Sequence, residues 1–517
     1  MKCNALEDVA WIHTTAGQKT VKEALLEAHN ISGLDLDRPA FEVSAQLRTL
    51  AAVAAVVLQH MEWRRFRPRK GFDEDAVEEA LGRLRISANL IDAEKPFMQQ
   101  ACEDISDGHK PTIGLDVAKY PPKKLSPAIP ADRAESYWNL AVSYAEALKF
   151  EDAALALAVC HHFFPAGNGK FKGRKHEMGS PALRFPGKDF TTTECIWYGA
   201  SLAETLALAV PKNWVADGGL PAWADRTCEF SANPYSSAKA LWSATWSSNA
   251  PACLWKNGAL IAAVVGGVPP QWIVPAMGST KETRKTWWAT RNQADPFYLY
   301  MPTKDGKEIK AQRLDIGRDA TALAVEWNAE QKGQAMRQRA SEHVLSPAIA
   351  DARILFLRHY IGGTSTSPSI RASQCLMGDS DTWAPSQDCA AEAKEFADKL
   401  IEIHYLVTRV FNESPNKYQF NLPTLVSRKG DASTAYWRNM TSIFLEAMHR
   451  LNNDGILLTD NLLRTIHSRA LLAFDSVAMS GASTSDHQLM SARAQLERNI
   501  NWSLKKMCEF LKEYADE

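Results

Sequence analysis

The chain is short of several things, and each shortage excludes something. It has almost no net charge: 59 lysines and arginines stand against 60 aspartates and glutamates in 517 residues, leaving −1 at neutral pH. No global positive field steers it to polyanions, so any nucleic-acid contact must come from local patches. Paired cysteines are missing. Nine are scattered at 3, 102, 160, 195, 228, 253, 375, 389 and 508 with no CxxC among them, which argues against a disulfide framework and suits a reducing compartment. No uninterrupted apolar run reaches the roughly 18 residues of a membrane span. The opening MKCNALEDVAWIH has neither the n-region nor the h-region of a secretion signal, so the expected location is the cytoplasm, with no membrane contact. Internal repeats and low-complexity segments are absent as well.

Catalytic signatures are equally scarce. There is no GxSxG, no HExxH, no DxD-type metal pair and no dinucleotide fingerprint. Gly167-Asn168-Gly169-Lys170 brushes against the phosphate-loop pattern. That pattern needs a hydroxyl after the lysine to hold magnesium, and here Phe171 follows. Cys160-His161-His162 are consecutive on a helix and point in different directions, so they do not converge on one ion and read as packing residues. No metal, cofactor or catalytic residue is expected.

What is present is a glycine- and cation-rich window, PAGNGKFKGRKHEMGSP over 165–181. Glycine lets the backbone approach another surface closely, and Lys170, Lys172, Arg174, Lys175 and His176 favour a polyanion as that surface. With no apolar stripe it reads as a loop. Before it, DVAWIH reads as a short strand turning at Ala16-Gly17, and Thr20 and Glu23 have the spacing of a capping box. Helices are expected over 42–62, apolar on nearly every side and therefore buried, over 73–92, and near 150–162. A basic turn, WRRFRPRKGF, separates the first two. A Pro-rich irregular stretch covers about 104–138. ALIAAVVGGV and FYLYMP are strand candidates. After Trp383 the pattern becomes four long helices over 389–412, 431–452, 457–479 and 484–514, a four-helix bundle. Most of the 16 tryptophans should lie in the core.

The residues Trp11-Ile12, KEALLEAHNISGL, EKPFMQQ at 94–100, the glycine loop and YIGGTSTSPSI, in this order, resemble the CasA family, the large subunit of the type I-E CRISPR surveillance complex, Cascade. The resemblance covers essentially the full length. It implies a mainly helical α+β fold: a large mixed α/β N-terminal domain over 1–380 for motif and guide-handle recognition, then a C-terminal four-helix bundle over 381–517. It implies a non-catalytic subunit that reads the protospacer-adjacent motif (PAM) of double-stranded DNA through the minor groove, helps to open the duplex for the guide RNA and recruits the helicase–nuclease. The implied partners are the other Cascade subunits, the guide RNA, the double-stranded target and that effector.

Position by position, the resemblance sets Gly167, Asn168 and Gly169 in the minor groove, with Lys170 and Lys172 on phosphates. It makes Lys285, in TRKTWWATRN before a strand-like aromatic segment, a lysine finger, with Arg284 and Lys281 as rivals. Ser365, Thr366 and Ser367 become the tip of a strand-separating wedge, without the amide residues common there in the family. Trp138 and Asn139 become contacts to the guide-RNA handle. Two other readings stand beside this one: a nucleic-acid-acting enzyme with an unrecognised site that uses the basic Gly/Lys loop, and a helical adaptor that touches only protein.

Overall fold

The structure is a computed structural model. It describes residues 3–101, 120–128, 147–164, 182, 190–233, 237–265, 267–346, 352–364, 367–413, 421–455, 459–479 and 485–515. The chain forms two compact units, Met1–Ile316 with Arg339–Met377, and Gly317–Gln338 with Gly378–Glu517.

The first unit opens with the hairpin β1 (Ile12–Thr14) and β2 (Gly17–Lys19), turning on Gly17 at φ +98. Thr20 then starts α1 (Val21–Leu26) with the capping box its spacing foretells. Its hydroxyl accepts from the Glu23 amide at 3.1 Å, and the Glu23 carboxylate accepts from the Thr20 amide at 2.8 Å. The central element is α2 (Ala40–Gln59). By length and composition it is apolar enough to cross a membrane, yet it lies buried in the core. Packed around it are α3 (Glu74–Leu84), α4 (Phe150–Phe163), α5 (Leu202–Ala209) and α6 (Lys212–Ala216).

The helix expected over 73–92 stops early, at Leu84. Beyond it Leu90 donates to the Cys3 carbonyl and Asn89 bridges to Asn4, so pairing with the N-terminal segment draws the chain out of the helix. Of the expected Pro-rich irregular stretch, only residues 120–128 among those beyond 101 are described, with a 3-10 turn over Pro122–Leu125.

Against α2 lies a three-stranded antiparallel sheet in the order β3 (Phe190–Tyr198), β8 (Arg353–Thr364), β9 (Ser367–Gly378). Its central strand carries Ile354, Leu355, Phe356 and Leu357, all fully buried, as a strand covered on both faces requires. Between β3 and β8 the chain makes α7 (Ala240–Thr245), the hairpin β4 (Ala252–Lys256) and β5 (Ala259–Val264), then α8 (Lys281–Gln293). The hairpin β6 (Tyr300–Pro302) and β7 (Ile309–Ala311), α9 (Ala320–Ala329) and α10 (Lys332–Ala340) follow. Both strand candidates, ALIAAVVGGV and FYLYMP, contain one of these strands.

The second unit holds α9, the short α11 (Ser380–Trp383) and four long helices: α12 (Ala390–Arg409), α13 (Lys429–Asp454), α14 (Asp460–Ala478) and α15 (Asp486–Ala515). Within it α12 packs on α13 and α15, and α14 on the same two, which closes a four-helix arrangement. Phe396 stacks on Phe444 at 6.3 Å, and the buried Tyr436 hydroxyl donates to the Leu400 carbonyl at 2.8 Å. Gly455 ends α13 at φ +66, a left-handed cap that a β-carbon disfavours.

One polar cluster sits deep inside the first unit. Arg48, on α2, donates through Nε to Glu194 Oε1 at 2.7 Å, and through Nη1 and Nη2 to the two Asp295 oxygens at 3.1 and 3.2 Å. Ser44 donates to the same Glu194 oxygen at 2.9 Å, and His359 Nε2 lies 3.4 Å from the other. Burial opposes the Arg48 charge, but Asp295 and Glu194 outweigh it and raise its pKa above the ordinary value. Arg48→Met would take this cation away from two buried carboxylates. We expect a loss of about 3–5 kcal/mol, read as a shift of the urea midpoint at pH 7; an unchanged midpoint would refute the role given to this cluster.

Candidate nucleic-acid interface

The glycine loop itself, with Gly167, Asn168, Gly169, Lys170 and Lys172, lies outside the described residues, but both of its roots are described. The helix that feeds it, α4, ends at Phe163, and Phe164 caps it by donating to the Cys160 carbonyl at 3.1 Å. The Phe164 carbonyl accepts from Asn249 Nδ2 at 2.8 Å. On the far side Ala182 donates to the His162 carbonyl at 2.9 Å, and its own carbonyl accepts from the Tyr298 hydroxyl. The chain therefore leaves and returns at one place, the C-terminal end of α4.

The hairpin root adjoins the same place. The His359 ring, on β8, packs edge-on against Phe163 at 5.1 Å, while its Nε2 faces Glu194. Ser365 and Thr366, at the tip, fall outside the described residues, and Ser367 opens β9. Trp138 and Asn139 fall outside them too.

Lys285 is described, and its setting corrects an expectation. The segment TRKTWWATRN is not strand-like: it lies in α8. Thr280 caps this helix, accepting from the Thr283 amide at 3.1 Å. Tryptophans favour strands on propensity alone, but here tertiary packing decides. Trp287 meets Trp242 and Trp246 at 6.4 and 6.1 Å, and Trp288 meets Trp246 at 5.9 Å. Arg291 stacks on Trp288 at 4.3 Å and donates to the carbonyls of Ser243 and Trp246 at 2.8 and 2.7 Å. With that face turned inward, Lys285 is exposed, as is Lys281. Arg284 is half-buried and points back to the Gly278 and Ser279 carbonyls at 3.4 and 3.3 Å, so it is the less accessible of the two rivals. Two residues beyond the end of α8 comes Asp295, the carboxylate that holds Arg48.

Cys160, His161 and His162 are buried side chains of α4. Burial pushes the Cys160 thiol above its ordinary pKa, away from the thiolate a nucleophile needs. His161 Nε2 donates to the Thr245 carbonyl at 2.9 Å, and burial pushes its pKa down to about 4. Among the described residues no group of three His, Cys, Asp or Glu side chains is placed to hold a metal ion.

Residues 6–473 match the family model for the CRISPR-associated protein Cse1. The chain belongs to the Cse1 family. No curated protein matches it by sequence. Its fold is similar to that of Thermus thermophilus CasA (Cse1), 18% identical, with 98% of this chain and 100% of that one covered and a TM-score of 0.63. It is also similar to Thermobifida fusca Cse1, at 14% identity, 97% and 98% coverage and a TM-score of 0.63. A third similar structure is a chain of a CRISPR RNA-guided surveillance complex, at 13% identity, 96% and 99% coverage and a TM-score of 0.60.

In this Cse1-family chain the residues that hold the loop roots, Asn249, Ala182, Tyr298 and His359, carry no sequence signal. They act through tertiary hydrogen bonds and ring contacts. The buried His161 makes one consequence measurable. Its unfolded pKa is about 6.5 and its folded pKa about 4, so between these values the unfolded chain takes a proton that the native chain refuses. Stability is then complete above pH 6.5 and falls as the pH drops toward 4, by up to ~1.4 kcal/mol per pH unit for this one group. We expect His161→Gln, which keeps a donor for the Thr245 carbonyl, to flatten the fall in urea midpoint between pH 7 and pH 5. An identical fall in both proteins would count against the assignment.

Proposed function

We propose that this chain is the non-catalytic large subunit of a type I-E CRISPR surveillance complex, working in the cytoplasm beside the other Cascade subunits and the guide RNA. In this reading it recognises the PAM in double-stranded DNA, helps to open the duplex and recruits the helicase–nuclease. The Cse1 family match supports the subunit, and the likeness to a chain of an RNA-guided surveillance complex supports the assembly. The observation that carries the recognition step is the common footing of three separate segments. The roots of the glycine loop, the β8–β9 hairpin and the end of α8 all meet the Arg48 cluster or residues packed on it.

Each segment then has a task. The minor groove is only about 6 Å wide, so the main chain at Gly167-Asn168-Gly169 is suited to enter it, with the Asn168 amide available to base edges. Lys170, Lys172 and Lys285 hold phosphates, which position the duplex without specifying it. Ser365, Thr366 and Ser367 form the wedge below the motif. Trp138 and Asn139 meet the guide handle, where an aromatic can stack on an unpaired base. On the bundle, Arg438, Arg464 and Lys505 are exposed cations for neighbouring subunits or target backbone, and Lys505 has Glu509 at 3.8 Å.

The test is binding of the reconstituted complex to duplexes with randomised flanking triplets. Lys285→Ala should weaken binding across all triplets and reduce the slope of log affinity against log salt by ~0.9, one phosphate contact. Asn168→Ala should change which triplets are preferred, with about 1–3 kcal/mol per misread pair. If neither variant alters affinity, slope or preference, the recognition role fails. Turnover of labelled DNA by the purified chain alone would replace it with an enzymatic one.

A further inference from the structure

The basic turn between α2 and α3 has no part in the reading above. From Glu62 to Lys70 it runs EWRRFRPRK, five cations and one carboxylate. Two 3-10 turns, Trp63–Arg65 and Pro68–Lys70, shape it, closed by Phe66 donating to the Trp63 carbonyl at 3.1 Å and Gly71 to the Pro68 carbonyl at 3.0 Å. Its aromatic side chains are half-buried and pack on the core, with Phe66 stacked on Phe72 at 5.0 Å. Gly71 sits at φ +75, and a β-carbon there would meet His29 Nδ1 at 2.5 Å, so the backbone path is tightly set. All five cations, Arg64, Arg65, Arg67, Arg69 and Lys70, are exposed. Glu62 pairs with Arg65 alone, at 3.3 Å. Asp73, Glu74 and Asp75 follow at the start of α3, where Asp73 caps the helix by accepting from the Ala76 amide. Among the described residues, Arg64, Arg67, Arg69 and Lys70 have no carboxylate within ion-pair distance.

A solvated turn at the end of a helix explains part of this. The C-terminus of α2 carries a partial charge of about −0.5, which one cation satisfies. With Arg65 paired to Glu62, three more on one turn, in a chain whose total charge is −1, repel each other at a cost that a polyanion would relieve. We infer that this turn is a second docking surface for duplex DNA, one that grips phosphates without regard to sequence and is separate from the proposed minor-groove contacts. Guanidinium groups dominate it, and their planar fork matches phosphate oxygens. It offers no stacking platform for unpaired bases: Trp63 is half-buried with the Arg64 guanidinium 5.0 Å over its ring. Duplex DNA, with one charge per ~1.7 Å of axis, presents a regular row of phosphates about twice as dense as that of one strand.

The test uses the full chain and a 30-base-pair duplex of randomised sequence, with affinity measured by anisotropy from low to moderate salt. Arg67→Gln, Arg69→Gln and Lys70→Gln together remove three exposed cations that make no side-chain hydrogen bond, ion pair or ring contact among the described residues, so the melting temperature should not move. The slope of log affinity against log salt should fall by about 2.7, which over a fourfold change in salt is about 40-fold in affinity. Arg67→Lys with Arg69→Lys should keep most of the slope, since the charges remain. An identical slope and affinity in wild type and triple variant, including no binding by either, overturns the inference. So does a triple variant that loses only its binding to a polyglutamate probe, which would point to an acidic protein instead. Because the duplex is randomised, failure here leaves the triplet-reading proposal standing, and failure of the Lys285 and Asn168 variants leaves this surface standing.

Discussion

A single buried guanidinium organises the first unit. Arg48 is fixed on a helix that is otherwise almost wholly apolar, and its donors are shared between Glu194 on β3 and Asp295 just beyond α8. Its ring-side face lies on Phe297 at 4.2 Å. A charge taken out of water is tolerated only when its partners are close and well oriented, and the two carboxylates here lie 146 and 247 positions from Arg48. The cluster stabilises the core only modestly relative to an apolar replacement of the whole set. Its hydrogen bonds tie α2 to β3 and to the residue just beyond α8.

That geometry is passed outward by short contacts. Tyr298, three residues from Asp295, donates to Ala182 at the return of the glycine loop. His359, beside Glu194, packs on Phe163 at its departure. The roots of the segments proposed to meet DNA are thus tethered to buried, well-packed residues. For the proposed groove contact such anchoring matters, because backbone in a narrow groove tolerates little displacement.

Much of the architecture was legible residue by residue. Thr20 and Glu23 announced their helix start, the all-round apolar pattern of 42–62 announced a buried helix, and the periodicity beyond Trp383 announced the four long helices. Local rules suffice where the deciding forces are local. They failed at 85–92, where pairing with Asn4 and Cys3 outcompetes helix continuation, and at TRKTWWATRN, where Trp242 and Trp246 offer an aromatic surface that only a helix can present Trp287 and Trp288 to. Gly317–Gln338, which the expected 1–380 domain includes, belongs to the compact unit of Gly378–Glu517.

By itself the sequence pointed to the family, through colinear motifs. It also located the cation-rich windows, since composition is a property of the chain alone. Which cations face solvent, which arginine is buried as a tie between distant segments, and which segments share a footing were decided by the tertiary structure alone. These depend on desolvation and on contacts between residues more than a hundred positions apart, and no local pattern encodes either.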